Sequence, residues 1–522
     1  MSNREEVVAA TSDLQDGEMK EVTVGDTPIL LSRVDGKFYA IHGHCSHYGA
    51  SLAQGALYNT QVICPWHHAC FDVTTGEQKE GPGLDNVAAY KVTVKNNQVL
   101  VHLPEVISAP ASPAKASSAD SKHTLVIGGG AAATHAVQAM RAAHYTGKIT
   151  IVTEENDLPY DRTALSKKFL QGNATADELS LREADFYEGS AIELKHQRVT
   201  QLNAEAKTAR LEDGETIAYD QALLSSGSKV NALSVPGSDY TNVYTLRSLS
   251  DSQAIREAAQ SAQRVVIIGA SFIGMECAAS LQSVGCTVTV VAPDVYPFAS
   301  KWGDRIGKMI RSLHETEGIQ FRAERKVERI EGNGRAQRVV LDDGETLPAD
   351  LVVVGIGVHP ATDFVTGLEK ADDGGIVVDE HLMAGHDIYV AGDIAQFPYA
   401  GQPVRIEHWR LAAQQGAVAG RNLAGMEEVF DRVPFFWTAQ QGKNIRYVGH
   451  AESYDEIVYQ GKVEEQDFIA FFIKDNSVRA ALGMNRDAEL AAIEHLMYNK
   501  QMPELLAVRK GKVQWMKEPK DR

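Results

Sequence analysis

Cysteine is scarce in this chain of 522 residues, which carries five, at positions 45, 64, 70, 277 and 286. So few, and an odd number, build no disulfide framework; that excludes the small cross-linked secreted class and fits a reducing compartment. Long apolar runs are missing as well, and none approaches the roughly 18 residues that a membrane helix needs. The opening residues Met1-Ser2-Asn3-Arg4-Glu5-Glu6 hold no basic stretch leading into an apolar one, so no secretory leader is expected and the reading is cytoplasmic, with no membrane partner. Nor is there a basic excess. With 51 Lys and Arg against 69 Asp and Glu, the formal charge is −18, which excludes nucleic acid as the expected partner. What remains is a chain with 44% hydrophobic residues, long enough for three or four domains with full cores.

The scarce cysteines are informative where they fall. Cys45-Ser46-His47 and Cys64-Pro65-Trp66-His67 form a C-x-H and a C-x-x-H pair separated by sixteen residues. Two thiolates and two imidazoles in this frame are the ligand set of a Rieske [2Fe–2S] centre, with Cys45 and Cys64 on one iron and His47 and His67 on the other. A structural zinc would take the same four ligands. The nucleotide-binding signatures downstream favour iron, because a flavin fed by a hydride donor supplies the electrons such a cluster accepts. The neighbouring His42, His44 and His68 read as loop or supporting groups, and Cys70 is given no ligand role.

Composition divides the chain. Residues 1–103 alternate in short strands, with turn pairs at Asp35-Gly36 and Asn96-Asn97, and read as a small all-β domain. Residues 104–122, rich in Pro, Ala and Ser, read as a tether that extends to roughly 60 Å at most. From His123 apolar strands alternate with helical periods, the sign of parallel βαβ units. Thr124-Leu125-Val126-Ile127 runs into Gly128-Gly129-Gly130-Ala131-Ala132-Ala133, and Arg264-Val265-Val266-Ile267-Ile268 into Gly269-Ala270-Ser271-Phe272-Ile273-Gly274, giving two dinucleotide folds in tandem. The expected boundaries are 123–248 with 372–431 for the FAD-binding domain, 249–371 for the NAD(P)H-binding domain, and 432–522 for a C-terminal α+β domain. In that last part Asp475-Asn476 reads as a hairpin turn and Asn485 as the N-cap of a closing helix.

In the first signature Gly128 serves the tight turn, Gly130 the approach of backbone to a pyrophosphate, and Ala133 the close packing of helix on strand, with Ala131 and Ala132 at the helix start where the phosphates sit. The strand Lys148-Ile149-Thr150-Ile151-Val152 ends at Glu154 and Glu155; Glu154 is assigned to a ribose diol, the alternative being two solvated acids. In the second signature Ser271 takes the middle glycine's place. Asp294 follows the next strand and no Arg or Lys comes before Lys301, which favours NADH and leaves NADPH open. Gly357 ends a further apolar strand, and Glu276 on the helix that follows Phe272 and Ile273 is equally readable as a solvated acid.

The string from Glu154 through Leu158-Pro159-Tyr160-Asp161-Arg162-Thr163-Ala164-Leu165-Ser166-Lys167 resembles a segment of apoptosis-inducing factor and of the ferredoxin reductases that serve aromatic-ring dioxygenases. Arg247, Gly392-Asp393, Glu407-His408-Trp409 and Phe435-Phe436-Trp437 follow in the order of that family, and the fused front module is similar to its Rieske-containing branch. The resemblance implies an FAD-dependent NAD(P)H oxidoreductase. Arg162 and Lys167 would lie beside the flavin, with backbone at Val199 against the adenine. Arg247 would meet the FAD phosphates and Asp393 the ribityl chain. His408, Trp409 and Trp437 would cover the flavin ring next to Glu407. Glu276 would pair with Lys167 as the catalytic pair near flavin N5. Thr163 and Ala164 depart from the two prolines usual there. Disulfide reduction is not expected, since no cysteine pair lies in Leu165–Leu170, and Ala50 and Trp66 stand where high-potential Rieske proteins carry a further cysteine pair, so a low-potential cluster is expected.

The expected function is electron flow from NADH through FAD to the [2Fe–2S] cluster and on to an external acceptor, such as a Rieske oxygenase or another redox protein. Two alternatives stay open: an NAD(P)H oxidase using O₂ or a quinone, and a redox-gated signalling protein of the apoptosis-inducing factor type. A homodimer also stays open.

Overall fold

The computed structural model describes residues 4–103 and 121–516. The greater part of the expected tether, 104–120, lies outside the described residues. The front domain is two antiparallel sheets. The larger has strand order Arg4–Ala10, Gln98–Leu103, Ala89–Lys95, Lys37–His42, Thr27–Val34 and Met19–Val24; the smaller runs Ala56–Tyr58, Gln61–Ile63, Cys70–Asp72 and Gln78–Glu80. Asp35-Gly36 and Asn96-Asn97 all take positive φ, the backbone that a two-residue hairpin with right-twisted strands demands.

Behind it stands a sheet of five parallel strands, ordered Ile192–His196, Lys148–Thr153, His123–Ile127, Gln221–Leu224 and Ile388–Val390, with Met383–Gly385 antiparallel at its edge. The helix Ala131–Ala142 crosses this sheet beside the helix Trp409–Leu423. Those two helices meet at backbone distance, because a Cβ on Gly416 would fall 2.1 Å from the Ala132 carbonyl and one on Gly420 2.3 Å from that of Ala136. A second sheet of five parallel strands runs Val243–Thr245, Leu351–Val354, Arg264–Ile268, Thr287–Ala292 and Gln320–Ala323.

Two short strands pair across the expected boundaries. Val243–Thr245, placed with the FAD-binding part, pairs with Leu351–Val354 of the second sheet. Val365–Thr366, placed with the NAD(P)H-binding part, pairs with Leu202 and Asn203 of the first. Strands of two or three residues carry too little periodicity to be assigned before their partners are known.

The C-terminal domain is an antiparallel sheet ordered Phe435–Gln440, Lys443–Gly449, Ser477–Met484, Asp467–Lys474 and Glu456–Lys462, covered by the helix Asp487–Tyr498. Asp475 and Asn476 turn its hairpin at positive φ. Asn485 is not the cap of that helix. It takes φ +55° and its amide donates to the Gln466 carbonyl, while Arg486 occupies the cap position.

The front domain sits on this C-terminal part through a shared core. Ala56, Tyr58, Ile63 and Cys70 are buried in one apolar cluster with Phe435, Val448, Phe471, Leu490 and Ile493. The Tyr58 ring stacks on His495 at 4.1 Å. Among the described residues no helix is long and apolar enough to cross a membrane.

Candidate functional site

Each cluster motif closes a loop with the same backbone pattern. The Cys45 amide donates to the Ala50 carbonyl and the Gly49 amide to that of Cys45, while the Cys64 amide donates to Ala69 and that of His68 to Cys64. The fifth residue of each loop has positive φ, +73° at Gly49 and +57° at His68. Glycine adopts this region freely; a histidine there costs roughly 1 kcal/mol or more and needs anchoring. The anchor is Glu494, whose carboxylate lies in close hydrogen-bond contact with His68 Nδ1.

The two loops bring their ligands together in pairs. Cys45 and Cys64 hydrogen-bond through sulfur, which holds the Cys45 thiol above its usual value and the Cys64 thiol below it. Backbone N–H groups of His47 and Tyr48 point at the Cys45 sulfur, and those of Trp66 and His67 at that of Cys64. His47 Nδ1 and His67 Nδ1 face each other at 3.1 Å. Burial pushes His47 down to about 4 and His67 well below its ordinary value, so both are neutral imidazoles, the form that ligates. Among the described residues no three Cys, His, Asp or Glu side chains converge as for a single ion. Two sulfurs and, separately, two ring nitrogens suit a binuclear cluster, with N–H groups already directed at the sulfurs. All five cysteines are free, and burial pushes the Cys70 thiol up.

A cavity of about 680 Å³ opens at the C-terminal ends of the first parallel sheet. Gly128, Gly130, Ala131 and Ala132 line one end. Gly128 has φ +112°, and a Cβ there would fall 2.2 Å from the Ser225 carbonyl; a Cβ on Gly130 would project into open space, room that a dinucleotide pyrophosphate needs. Ala133 lies one residue deeper, fully buried against the sheet. Glu154 stands exposed on the rim. Glu155 is committed elsewhere, ion-paired with Arg162 and accepting from the Tyr160 hydroxyl. Val199 closes the same end.

Further along, Asp393 Oδ2 accepts from Arg247 Nη2 at 3.1 Å and from Ser228 Oγ at 2.8 Å. Glu407 accepts from Arg405 at 2.6 Å, yet burial holds its carboxyl above the usual range. Trp409 opens the helix Trp409–Leu423, so the positive end of that helix faces the cavity. Lys167 Nζ lies 2.9 Å from Glu276 Oε2, and both line the cavity with Trp437.

His408 does not join them. Its half-buried ring stacks on Phe436 at 4.7 Å and supports from behind a residue that lines the wall. The second signature also divides. Phe272 and Ile273 reach the cavity, whereas Gly269, Ser271, Gly274, Asp294 and Gly357 do not line it and follow the C-terminal ends of strands of the second sheet. There Gly269 turns at φ +102°, and Gly274 packs so closely on it that a Cβ would meet the Gly269 carbonyl at 2.4 Å. Ser271 caps its helix, accepting from the Gly274 amide at 3.2 Å, so the serine in the glycine's place has a capping duty. Asp294 is exposed at the end of the neighbouring strand, and Gly357 turns at φ +97°.

The two sites touch. The His67 ring lies 4.3 Å from that of Trp437, which lines the cavity from its other side. Arginines of the reductase part clamp the front domain by its backbone carbonyls: in the second cluster loop Arg446 Nε to Trp66 at 2.8 Å and Arg410 Nη2 to His68 at 2.8 Å, and after the strand Gln78–Glu80 Arg410 Nε to Gly81 at 3.1 Å. Arg410 also donates to Glu494 at 2.6 Å, completing a buried triad with His68. On the opposite flank the Tyr48 hydroxyl meets Asp161, and Arg182 pairs with Asp85 at 2.7 Å. Sequence reasoning missed Tyr48, Arg410, Arg446 and Glu494. The available signal was His68 at a loop position whose backbone favours glycine.

Three family descriptions match the chain in succession: a Rieske [2Fe-2S] domain over residues 4–91, a pyridine nucleotide-disulphide oxidoreductase over 122–416, and a reductase C-terminal domain over 435–514. Apoptosis-inducing factor 3 of Mus musculus is 33% identical, over 98% of this chain and 86% of its own. The ferredoxin–NAD(+) reductase subunit of the benzene 1,2-dioxygenase system of Pseudomonas putida is 30% identical, over 72% of this chain and 92% of its own. The crystal structure of the ferredoxin reductase for the CYP199A2 system of Rhodopseudomonas palustris superimposes with a TM-score of 0.70 at 31% identity, covering 74% of this chain and 96% of that one.

Proposed function

The chain belongs to the pyridine nucleotide-disulphide oxidoreductases, with a Rieske domain in front and a reductase C-terminal domain behind, and from that premise we propose that it is a ferredoxin reductase fused to its own ferredoxin. It is an FAD-dependent oxidoreductase using NADH, FAD and a Rieske cluster. When bound, FAD supplies the conversion of a two-electron hydride into single electrons, which the cluster accepts one at a time. The final acceptor in this reading is an external redox protein, such as a Rieske oxygenase.

The observation that carries the reading is the contact of Trp437 with His67. One indole touches both the cavity and a cluster ligand, so Trp437 and His67 would be the side chains that lie between a flavin bound in the cavity and the cluster. At the phosphate end the N–H groups of Ala131 and Ala132 and the Arg247 guanidinium would offset the negative charge of the dinucleotide. Lys167, held by Glu276, would place a cation beside the reducible end of the flavin, where negative charge gathers on reduction. The nicotinamide would arrive over Phe272 and Ile273, with its adenosine part toward Asp294. Cys45, His47, Cys64 and His67 would hold the cluster.

Anaerobic stopped-flow mixing with NADH tests the relay. The flavin absorbance is expected to bleach first and the cluster absorbance to follow in the same molecule, at a rate independent of protein concentration. A cluster that stays oxidised while the flavin bleaches defeats the proposal.

A further inference from the structure

Glu276 is more heavily engaged than one ion pair explains. It is 4% exposed, and each carboxylate oxygen has its own pair of donors. Oε2 receives Lys167 Nζ at 2.9 Å and the Ser166 hydroxyl. Oε1 receives the Thr438 hydroxyl at 2.7 Å and the Ala439 amide at 3.3 Å. Behind Thr438 the chain of hydrogen bonds continues through fully buried groups. Gln440 Nε2 donates to Thr438 Oγ1 at 2.7 Å, and Gln440 Oε1 lies 2.9 Å from His314 Nε2.

The direction of every link follows from the chemistry of its ends. A carboxylate only accepts, so Thr438 must spend its single proton on Glu276. Its oxygen then accepts from the amide nitrogen of Gln440, which only donates, and this turns the Gln440 carbonyl to His314. That carbonyl only accepts, so the imidazole carries its proton on Nε2. The other ring nitrogen, Nδ1, faces Gln441 Nε2 at 3.4 Å. All dipoles point one way, toward Oε1, and linked dipoles of this kind strengthen one another in a dry interior.

We propose that Thr438 is a positioning residue for the ion pair at the flavin: with Gln440 and His314 behind it, its hydroxyl holds Oε1 of Glu276, so that a single carboxylate oxygen neutralises Lys167 and the ammonium keeps its field over the cavity. Thr438 follows Trp437 on the strand Phe435–Gln440, and successive side chains of a strand face opposite ways. One strand thus fixes the cation on its buried side and carries the indole toward His67 on the other. The inference rests on Lys167 lying beside the flavin ring.

The test uses the full-length, FAD-loaded protein. The flavin midpoint potential and the rate of flavin reduction by NADH are measured for the wild type, Thr438→Val, Thr438→Ser and Lys167→Met. Valine keeps the shape and removes the donor, which frees the carboxylate to turn both oxygens on Lys167. The potential is expected to move to more negative values and flavin reduction to slow about tenfold, the worth of one hydrogen bond to a charged group, with NADH affinity unchanged. Serine restores both. A valine variant that keeps its FAD and shows the wild-type potential, or a serine variant that fails to restore it, overturns the proposal. If the valine variant does not fold, Gln440→Leu removes the support from the next link; a smaller shift in the same direction sustains the inference and none overturns it. Lys167→Met separates the two levels. A shift there without one in Thr438→Val sinks Thr438 alone, whereas no shift in Lys167→Met sinks the placement of Lys167 and the proposal with it.

Discussion

The rings of Trp437 and His67 meet at 4.3 Å between centroids, inclined at 50°, across the junction of a C-terminal reductase strand and an N-terminal cluster loop. The contact is held from both sides, since Arg446, opposite Trp437 in the strand register, fastens the carbonyl of Trp66. Replacing Trp437 by Leu removes the aromatic bridge and leaves a gap. Electron arrival at the cluster should slow by about tenfold to a hundredfold, the scale on which ångström displacements at a reacting site cost rate. Flavin reduction by NADH should change far less, and Trp437→Phe should fall between. Double-mixing kinetics at the flavin and cluster absorbances separates the two steps; parallel slowing of both would mean that Trp437 acts on the flavin and not on the transfer.

Glu494 holds two groups at once: it pairs with the buried guanidinium of Arg410 and anchors by hydrogen bond the ring of His68 on its left-handed backbone. Removing one member of a buried pair leaves the other charged and unpaired, at about 3–5 kcal/mol. Glu494→Ala is therefore expected to loosen the seating of the front domain, slowing cluster reduction while the flavin step stays intact. Glu494→Gln, which keeps an acceptor for Arg410, should cost less. Equal cluster-reduction rates in all three proteins would show that the triad does not hold the domain in place.

His314 gives the acid limb of stability. Burial pushes it down to about 4, against about 6.5 in an unfolded chain. Between those values the unfolded chain binds the extra proton and the folded protein refuses it, so stability present above pH 6.5 is lost as the pH falls and the loss is complete near 4. Its full extent is about 3 kcal/mol at 1.36 kcal/mol per pH unit. In His314→Gln, which still has a donor for Gln440, this contribution is absent. Thermal midpoints measured from pH 7 to pH 4 should show the variant less stable at neutral pH and the difference shrinking or reversing in acid. A gap that stays constant across that range refutes the assignment to His314.

What the sequence disclosed was whatever is encoded by neighbours. The three hairpin turns at Asp35-Gly36, Asn96-Asn97 and Asp475-Asn476 need positive φ at adjacent residues, and only a few residue types supply it. The cluster loops and the glycine turn at Gly128 are short-range constellations of the same sort. The docking of the front domain was not legible. His68 and Arg410 are separated by 342 positions, and the clamp uses backbone carbonyls, which every residue possesses. His408 and Asn485 illustrate a finer limit. Both stand beside a helix start, where one residue of difference in the cap turns a side chain from a cavity or from a cap into other company.

The last prediction joins helix packing to cofactor affinity. Gly416 faces the carbonyl of Ala132, and a methyl group there would lie 2.1 Å from that oxygen, far inside contact distance. The obstacle is backbone, which cannot rotate aside, so Gly416→Ala must drive the helix Trp409–Leu423 away from the helix Ala131–Ala142. Overpacking of this kind costs about 1–3 kcal/mol. The displaced part is the first turn of the helix whose N–H groups face the phosphate end of the cavity, with Trp409 at the start of the other helix. Both ends of the flavin site should therefore loosen together. FAD should dissociate more readily from Gly416→Ala than from the wild type, and thermal stability should fall most at low FAD concentration, where binding contributes least to the folded state. Gly425, whose added Cβ would meet nothing within 4 Å, is a poor control because its φ of +95° brings strain of its own; Gly189, with open space and no positive φ, is the suitable one. If Gly416→Ala and Gly189→Ala hold FAD equally well, close approach of the two helices is not what shapes the site.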